Sequence, residues 1–249
     1  MMITLLVTRP VPDSALTPLR TRAEVRVLEG DDARPIPSED ELLAAVSDAQ
    51  AEILFTLPAH PVTARVLSAA PSLRLVATMG TGYDNIDTRA ARERGIRVSN
   101  APGMLDETTA DLAFALVLAT ARQLPRAERF LREGRFRGRT PFLFAGGDVH
   151  GRTLGIVGLG RIGRAVARRA RGFGMRILYS SPTRREDAER ELGCSQVSLE
   201  VVLAESDFVS LHCPLTPATR HLIDAAALAR MKATAVLVNT ARGPVVDEA

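Results

Sequence analysis

The residues best suited to chemistry form a glycine-rich turn in the second half of the chain. Gly158-Leu159-Gly160-Arg161-Ile162-Gly163 fits the pattern G-x-G-x-x-G, directly after the strand-like segment 153–157 and at the start of the helix-like segment 161–172. In such a turn the first glycine permits the bend, the second lets a pyrophosphate approach, and the third lets helix and strand pack closely. The helix N-terminus then binds the phosphates. The pattern predicts a dinucleotide site, with a purely structural glycine turn as the alternative.

The end of the next predicted strand bears on which dinucleotide binds. An NAD site carries an acid about twenty residues after the turn, where it binds the ribose 2′-hydroxyl. Here the segment reads Tyr179-Ser180-Ser181-Pro182-Thr183-Arg184-Arg185, and the first carboxylate is Glu186, which we interpret as a first-turn helix acid. Hydroxyls and guanidiniums suit a 2′-phosphate instead. The segment therefore favours NADP over NAD, unless the arginines merely face water.

Further segments resemble those of a known family. They are 80–87 (GTGYDNID) with 95–98 and 100–103, then 150–155 leading into the glycine turn, and 238–248 (VNTARGPVVDE), which is the most specific. Together they resemble the D-isomer-specific 2-hydroxyacid dehydrogenases, and the likeness runs essentially through Ala249. Within that family the segment after the second strand looks most like the glyoxylate/hydroxypyruvate reductase branch.

The resemblance implies how a small 2-oxo acid substrate would be bound. Arg242 would be the catalytic arginine, because a guanidinium pairs with a planar carboxylate and stabilises charge that develops on the carbonyl oxygen. The backbone N–H groups around Thr81 and Gly82 would cradle the substrate carboxylate. The alternatives are a strand-end arginine that bonds backbone carbonyls and a simple tight turn.

The resemblance also implies a set of cofactor contacts. Leu159 to Ile162 (Leu159, Gly160, Arg161 and Ile162) would contact the pyrophosphate. Ser181, Pro182 and Thr183 would contact the adenosine ribose; the contact of Arg184 with a 2′-phosphate rests on the charge argument above and not on the resemblance. The remaining contacts would come from Thr240 and Ala241 beside the nicotinamide ribose, Cys213 and Pro214 over the adenine, and Thr109 from a long apolar helix. That helix, at 106–122, is apolar nearly all round, so we expect it to be buried between the two lobes.

The sequence departs from the family in one respect. The family's carboxylate and proton-donating histidine would fall after Ala249, and His60, His150, His212 and His221 do not match the donor position. We therefore expect the nucleotide-binding lobe to be incomplete and the 249-residue chain to reduce glyoxylate poorly. Phosphoglycerate, D-lactate or phosphonate dehydrogenase activity remains open, as does a dinucleotide sensor that does not catalyse.

Alternating strand and helix patterns predict an α/β fold with two Rossmann-like or flavodoxin-like lobes and parallel sheets. The chain has 249 residues, of which 46% are hydrophobic and 4% aromatic, and a core of Ala, Val, Leu and Ile suits strands covered by helices on both faces. We place a substrate domain at 1–100 and the dinucleotide-binding domain at 101–249. The predicted strands are 3–7, 24–28, 52–56, 74–78, 95–98, 153–157, 175–179, 206–211 and 235–239; the predicted helices are 12–22, one from Ser38, 63–70, 106–122, 161–172, 184–192 and 224–231.

Composition argues against several other classes of protein. The net charge is +3, almost every cation is arginine, and no basic strip is interleaved with aromatic residues, so we expect no nucleic-acid partner. The apolar segments are too short for a membrane helix or a signal peptide. Cys194 and Cys213 lack metal or redox spacing, which fits a reducing cytoplasm. From the family we expect a homodimer, with the loop from Phe136 to Phe144 as a candidate arm, although that loop could equally be buried under its own lobe.

Overall fold

The computed structural model describes residues 2–30 and 36–249, and the chain divides into two compact units, Met1–Met104 and Leu105–Ala249. Each unit contains a five-stranded sheet in which all paired strands are parallel. The predicted α/β class with two parallel sheets is therefore confirmed. Parallel neighbours require crossover connections, and helices supply most of them in both units.

The first unit has the sheet order β2-β1-β3-β4-β5. Its strands and helices, in chain order, are β1 Ile3–Val7, α1 Asp13–Arg20, β2 Ala23–Val27, α2 Glu39–Ala49, β3 Ile53–Thr56, α3 Ala64–Ala69, β4 Leu75–Thr78, α4 Thr88–Glu93 and β5 Arg97–Ser99. Because these strands are parallel, their carboxyl ends share one edge of the sheet. The chain passes from β1 to β2 on one side and then crosses to β3 on the other, so the strand order reverses beside β1.

Helix α2 begins where the sequence predicted. The Ser38 hydroxyl accepts the N–H of Glu41, while the Glu41 carboxylate accepts the N–H of Ser38 over 2.8 Å. This capping box satisfies two donors that the first turn of a helix leaves without intrahelical partners. The inner face of the helix then buries Leu42 and Val46 in the core of the first unit.

The second unit has the sheet order β10-β9-β6-β7-β8. Its elements are α5 Asp106–Ala121, α6 Leu124–Arg132, β6 Thr153–Val157, α7 Arg161–Gly172, β7 Arg176–Ser180, α8 Glu186–Leu192, β8 Cys194–Gln196, α9 Leu199–Glu205, β9 Phe208–Leu211, α10 Ala225–Arg230 and β10 Val236–Asn239. Strand β6 is central, and the chain leaves it towards β7 on one side and later returns as β9 on the other. This switch point between β6 and β9 is where open α/β sheets bind their ligands.

Four short elements lie outside the predictions. Helices α4 and α9 and strand β8 are each seven residues or shorter, so none carries a strong apolar period. Helix α6 is amphipathic, with Leu124, Ala127, Phe130 and Leu131 at helical spacing, and was missed from the sequence; none of its residues is buried. Because β8 pairs with β7, strand β10 is the fifth strand of its sheet and not the fourth, as the sequence suggested.

Helix α5 is less buried than its composition predicted. One face, which includes Ala110, Ala113 and Val117, is fully buried in the core of the second unit. The opposite face leaves Leu112 56% and Leu116 39% exposed. The expectation of a helix buried nearly all round was therefore wrong, because only one face of α5 packs against the core.

Candidate functional site

The glycine turn after β6 is bent tightly against the end of β9. Gly158 has φ +95°, and a Cβ at that position would lie 2.7 Å from the backbone nitrogen of Cys213. A Cβ on Gly163 would lie 2.3 Å from the carbonyl oxygen of Gly158. Both positions require glycine for steric reasons, since backbone atoms cannot yield to a side chain.

Gly160 differs from these two glycines because a Cβ there would meet nothing within 4 Å. Helix α7 begins at the next residue and has no side-chain cap. Among the described residues, the N–H groups of Gly160, Arg161 and Ile162 donate to no protein acceptor. An open backbone surface at an uncapped helix N-terminus fits the phosphates of a dinucleotide.

The hydroxyl of Ser181 contacts the glycine turn directly. Ser181 follows β7, and its Oγ accepts the N–H of Leu159 over 2.8 Å, while its carbonyl oxygen accepts the side-chain amide of Gln196. One N–H of the turn is therefore already satisfied by the protein. Ser181 holds the turn in place in addition to lying at the predicted ribose position, and Pro182 and Thr183 follow it as exposed residues.

The two arginines after β7 have different environments. Arg184 forms an ion pair with Glu189 at 2.9 Å, and Glu189 also accepts the hydroxyl of buried Tyr179 over 2.9 Å. These bonds hold the pKa of the Glu189 carboxyl below its ordinary value, and burial raises the pKa of the Tyr179 hydroxyl. The side chain of Arg185 is exposed and forms no ion pair within the described part of the chain.

The predicted adenine and helix contacts lie in the same unit. Cys213 is buried with its backbone against Gly158, and Pro214 is exposed and accepts the Thr219 hydroxyl over 2.6 Å through its carbonyl oxygen. Thr109 is half-buried in the first turn of α5.

The turn that follows strand β10 contains Thr240, Ala241 and Arg242. The side chain of Asn239 bridges this turn, because its Nδ2 donates to the carbonyl oxygen of Arg242 over 2.9 Å and its Oδ1 accepts the N–H of Ala241 over 3.0 Å. The half-buried Arg242 donates from Nη1 to the carbonyl oxygen of Ala241 over 2.9 Å. Thr240 Oγ1 is shielded from solvent and has no hydrogen-bond partner among the residues that the structure describes. An orphaned hydroxyl is costly unless a ligand satisfies it, so its position fits a polar cofactor group.

In the first unit, the candidate carboxylate cradle follows β4. Thr81 and Gly82 are half-buried, and across residues 2–30 and 36–249 no protein acceptor binds either backbone N–H group. The carbonyl oxygens of this turn are engaged, since Gly80 O accepts the N–H of Ala101 over 3.0 Å and Thr81 O accepts Nδ2 of Asn100 over 2.7 Å. A turn with bound carbonyls and open N–H groups can bind an anion.

The histidines occupy other environments. His60 is buried and its Nδ1 lies 2.7 Å from the Thr8 hydroxyl, while burial lowers the pKa of His212 to about 4, so His212 is neutral at pH 7. Nε2 of His212 lies 2.8 Å from Ser210 Oγ. His221 lies 3.8 Å from Asp247, and the ring of His150 packs beside Gly174.

Across residues 2–30 and 36–249 no group of three acidic, histidine or cysteine side chains could hold a metal ion.

Sequence reasoning missed three residues that support the site. Asn239 and Asn100 lie at or directly after the end of a strand, where an amide side chain often bonds the following turn, so their positions were a usable signal. Nothing in the sequence indicated that Gly155 matters, because the reason lies in a contact with a distant residue. A Cβ on Gly155 would lie 2.3 Å from Ser206 Oγ, so β6 needs glycine there to pack against α9 and Ser206.

Within the described chain, no helix is long and apolar enough to cross a membrane.

Comparison with known proteins identifies relatives along nearly the whole chain. The family model described as D-isomer specific 2-hydroxyacid dehydrogenase, NAD binding domain, matches residues 114–249. The chain is 53% identical over 243 residues to a glyoxylate reductase of Korarchaeum cryptofilum, a match that covers 97% of this chain and 72% of the relative. It is 50% identical over 245 residues to a glyoxylate reductase of Thermococcus kodakarensis, with the same two shares covered.

Solved structures also resemble this chain over nearly its whole length. The TT0316 protein of Thermus thermophilus superimposes with a TM-score of 0.89 at 43% identity, over 98% of this chain and 76% of that one. A D-lactate dehydrogenase of Aquifex aeolicus, solved in complex with NAD and lactic acid, superimposes with a TM-score of 0.83 at 32% identity, over 98% of this chain and 71% of that one.

Proposed function

The chain belongs to the D-isomer-specific 2-hydroxyacid dehydrogenases, and we propose that its substrates are glyoxylate and hydroxypyruvate and that NADPH is its preferred coenzyme. The family catalyses NAD(P)-dependent interconversion of 2-oxo and 2-hydroxy acids. The choice of substrate is supported by the curated relatives named glyoxylate reductase, which are about 50% identical to this chain over nearly all of its length.

The observation that carries the coenzyme site is the open glycine turn at the N-terminus of α7. Gly160, Arg161 and Ile162 offer N–H groups that no protein acceptor binds in the described chain, and the open space at Gly160 admits a pyrophosphate. Thr240 Oγ1 is a buried hydroxyl that no group in the described part of the chain binds, so it is free to bind the nicotinamide ribose. A bound nicotinamide would supply the hydride; the residues of this chain would bind and orient the reactants.

Arg242 is the proposed catalytic residue. Its guanidinium would pair with the substrate carboxylate and stabilise negative charge on the carbonyl oxygen during reduction. The bond from Nη1 to the carbonyl oxygen of Ala241 and the bridge from Asn239 restrict the backbone and side chain of Arg242 before any substrate binds. Restricting a charged group in advance lowers the reorganisation needed in the transition state. The N–H groups of Thr81 and Gly82 would bind the carboxylate as well.

The preference for NADPH is supported by the charges after β7. Glu189 is the acid that contacts this segment, but its carboxylate is bound by Arg184 and by Tyr179, so it is engaged and not offered to a ribose hydroxyl. The exposed Arg185 would bind a 2′-phosphate, with Ser181 and Thr183 beside it, and Arg184 would join them by exchanging Glu189 for the phosphate.

The proposal is tested by calorimetry and by steady-state kinetics. Titrations should give saturable binding of NADPH that is tighter than that of NADH, and kcat/KM should be higher for glyoxylate and hydroxypyruvate than for pyruvate or 3-phosphohydroxypyruvate. A higher kcat/KM for pyruvate than for glyoxylate would instead indicate a D-lactate dehydrogenase activity. Failure to bind either coenzyme would refute the enzymatic proposal altogether.

We also propose a homodimer and a cytoplasmic location. In the candidate arm, Phe142 is 89% and Phe136 51% exposed, whereas Phe144 packs on Phe130 with ring centroids 5.2 Å apart. Exposed aromatic rings outside regular elements support an interface with a second copy. Both cysteines are unpaired and buried, which supports a reducing compartment. Sedimentation of the wild-type chain and of Phe142→Ser should show a dimer that the substitution weakens.

A further inference from the structure

The turn that follows β4, residues 80–82, contains the candidate carboxylate cradle. Its carbonyl groups at Gly80 and Thr81 both accept hydrogen bonds from one short segment, residues 100–101. Gly80 O accepts the backbone N–H of Ala101 over 3.0 Å, and Thr81 O accepts the side-chain Nδ2 of Asn100 over 2.7 Å. The Thr81 hydroxyl adds a longer bond of 3.4 Å to the carbonyl oxygen of Ala101. These contacts lie entirely within the first unit.

The direction of the carbonyls fixes the direction of the N–H groups. In a planar trans peptide the C=O of one residue and the N–H of the next point in opposite directions. Gly80 O and the N–H of Thr81 belong to one peptide plane, and Thr81 O and the N–H of Gly82 belong to the next. Because both carbonyls point towards residues 100–101, both N–H groups point away from that segment, side by side. Two successive N–H groups in this arrangement form a concave site for an anion.

The same contacts strengthen the donors. A peptide carbonyl that accepts a hydrogen bond makes the N–H of its own plane more polar, so linked bonds reinforce one another. A main-chain donor, the N–H of Ala101, binds the first plane, and substitution cannot easily remove it. The second plane depends on a side chain, since Nδ2 of Asn100 is the group that binds Thr81 O.

We propose that Asn100 is a positioning residue that aims and polarises the N–H of Gly82 for a carboxylate of the substrate. The proposal rests on the proposed function, because it takes Thr81 and Gly82 as the carboxylate cradle. It adds that substrate affinity depends on an amide side chain that need not touch the substrate. A carboxylate at position 100 would repel Thr81 O, and a methyl group would leave the second peptide plane free to rotate.

Asn85 provides a matched control within the same turn. Its Nδ2 donates to the carbonyl oxygens of His60 over 2.9 Å and of Leu57 over 3.3 Å, so it holds the turn to the loop after β3. It contacts neither Gly80 O nor Thr81 O through these bonds. Asn85→Ala and Asn100→Ala therefore both remove an amide that steadies the turn, but only the second releases the peptide plane of the Gly82 N–H.

The experiment measures binding of oxalate, a dicarboxylate that cannot be reduced, to the NADPH-saturated chain by calorimetry. Asn100→Ala should weaken oxalate binding by about 10- to 100-fold, which is the range for one charge-assisted hydrogen bond. Asn100→Asp should weaken it further although the side chain keeps its size, while Asn85→Ala should bind oxalate close to the wild-type affinity. NADPH affinity should be the same in all four proteins.

A spectroscopic readout separates positioning from general destabilisation. In protein labelled with ¹⁵N-glycine, the Gly82 amide resonance should move when oxalate is added to the wild type and to Asn85→Ala. In Asn100→Ala the free-state resonance should already be shifted, and the response to oxalate should be small. A Gly82 response equal to the wild type would overturn the role of Asn100, whatever the melting temperature of the variant.

The remaining outcomes distinguish the two proposals. If the wild type binds oxalate and both Asn100 variants bind it equally well, the role of Asn100 is overturned and the proposed function stands. If the wild type binds NADPH but no oxalate, the carboxylate cradle is wrong and Asn100 loses its role with it, whereas the proposed coenzyme site stands.

Discussion

The side-chain amide of Asn239 donates to the carbonyl oxygen of Arg242 over 2.9 Å while its oxygen accepts the N–H of Ala241 over 3.0 Å. One side chain at the end of β10 thus fixes the backbone on both sides of the peptide bond that precedes the proposed catalytic arginine. The position of the guanidinium depends on this bridge, since Arg242 lies in a turn and not in a regular element.

Replacing Asn239 should therefore impair catalysis without removing any reacting group. We expect Asn239→Ala to lower kcat/KM for glyoxylate by about 10- to 100-fold, because a small misplacement of a positioning group is costly. Asn239→Asp should lose less, since it keeps the acceptor for the Ala241 N–H and loses only the donor. Steady-state kinetics with saturating NADPH measures both effects; an Asn239→Ala enzyme with unchanged kcat/KM would show that the bridge is dispensable.

Two glycines of the turn, Gly163 and Gly160, should respond differently to alanine. Gly163→Ala places a Cβ against the Gly158 carbonyl and should destabilise the chain by about 1–3 kcal/mol, as overpacking does. Gly160→Ala meets no protein atom within 4 Å, so its melting temperature should stay near the wild type. It should nevertheless weaken NADPH binding, because the methyl group occupies the space proposed for the pyrophosphate.

Thermal unfolding and NADPH titration of the two variants provide the measurement. A Gly160→Ala chain with wild-type NADPH affinity would mean that the pyrophosphate does not approach this face of the turn.

The coenzyme preference should depend on Arg185 more than on its neighbours. Arg185→Ala should lower kcat/KM for NADPH by about 10-fold or more and leave NADH almost unaffected, because only NADPH carries the 2′-phosphate that a guanidinium binds. Arg190→Ala is the matched control, since it removes the same charge from an exposed residue of α8. Equal losses with both coenzymes, or an equal loss in the control, would exclude a specific contact with the 2′-phosphate.

Asp207 should make the stability of the second unit depend on pH. Burial raises the pKa of Asp207, but bonds from Lys232 and from the N–H of Thr153 outweigh it and hold the pKa below its ordinary value of 3.8. A group whose pKa is lowered by folding stabilises the folded chain above its ordinary pKa. That contribution is lost as the pH falls through the lower pKa of the folded state.

Asp207→Asn should therefore reduce the free energy of unfolding by about 1 kcal/mol at neutral pH, and the difference from the wild type should shrink as the pH falls below about 4. Urea unfolding across this range measures the difference. Asp148→Asn, at a 74% exposed side chain, is the control and should show almost no change. A difference that grows on acidification would contradict the assigned direction of the pKa shift.

The glycine turn was predictable because each of its features is local. The bounds of β6 and α7 agree with the predicted 153–157 and 161–172, since an apolar strand, three spaced glycines and an amphipathic helix follow one another directly in the sequence. The Ser38 capping box was predictable for the same reason, as its two partners are three residues apart.

Contacts between distant residues could not be predicted in this way. The contact of the Ser181 hydroxyl with the N–H of Leu159 needs the paired strands β6 and β7 to end side by side. The pairing of residues 100–101 with the carbonyls of residues 80–81 likewise needs two neighbouring strands to end at the same edge. Short elements such as β8 depend on a neighbouring strand for their hydrogen bonds, so their own sequence carries little signal.

Lys232 is the only lysine of the chain, and its ammonium group lies 2.8 Å from Asp207 with the side chain 39% exposed. Apart from the amino terminus, amine-directed reagents therefore have one target. That target precedes β10, whereas Arg242 follows the same strand, so a fluorophore coupled there would sit at the opposite end of β10 from the proposed chemistry. Because nearly all other side-chain cations are arginines, which amine-directed reagents do not modify, Lys232 can serve as a single attachment point for surface immobilisation or single-molecule fluorescence.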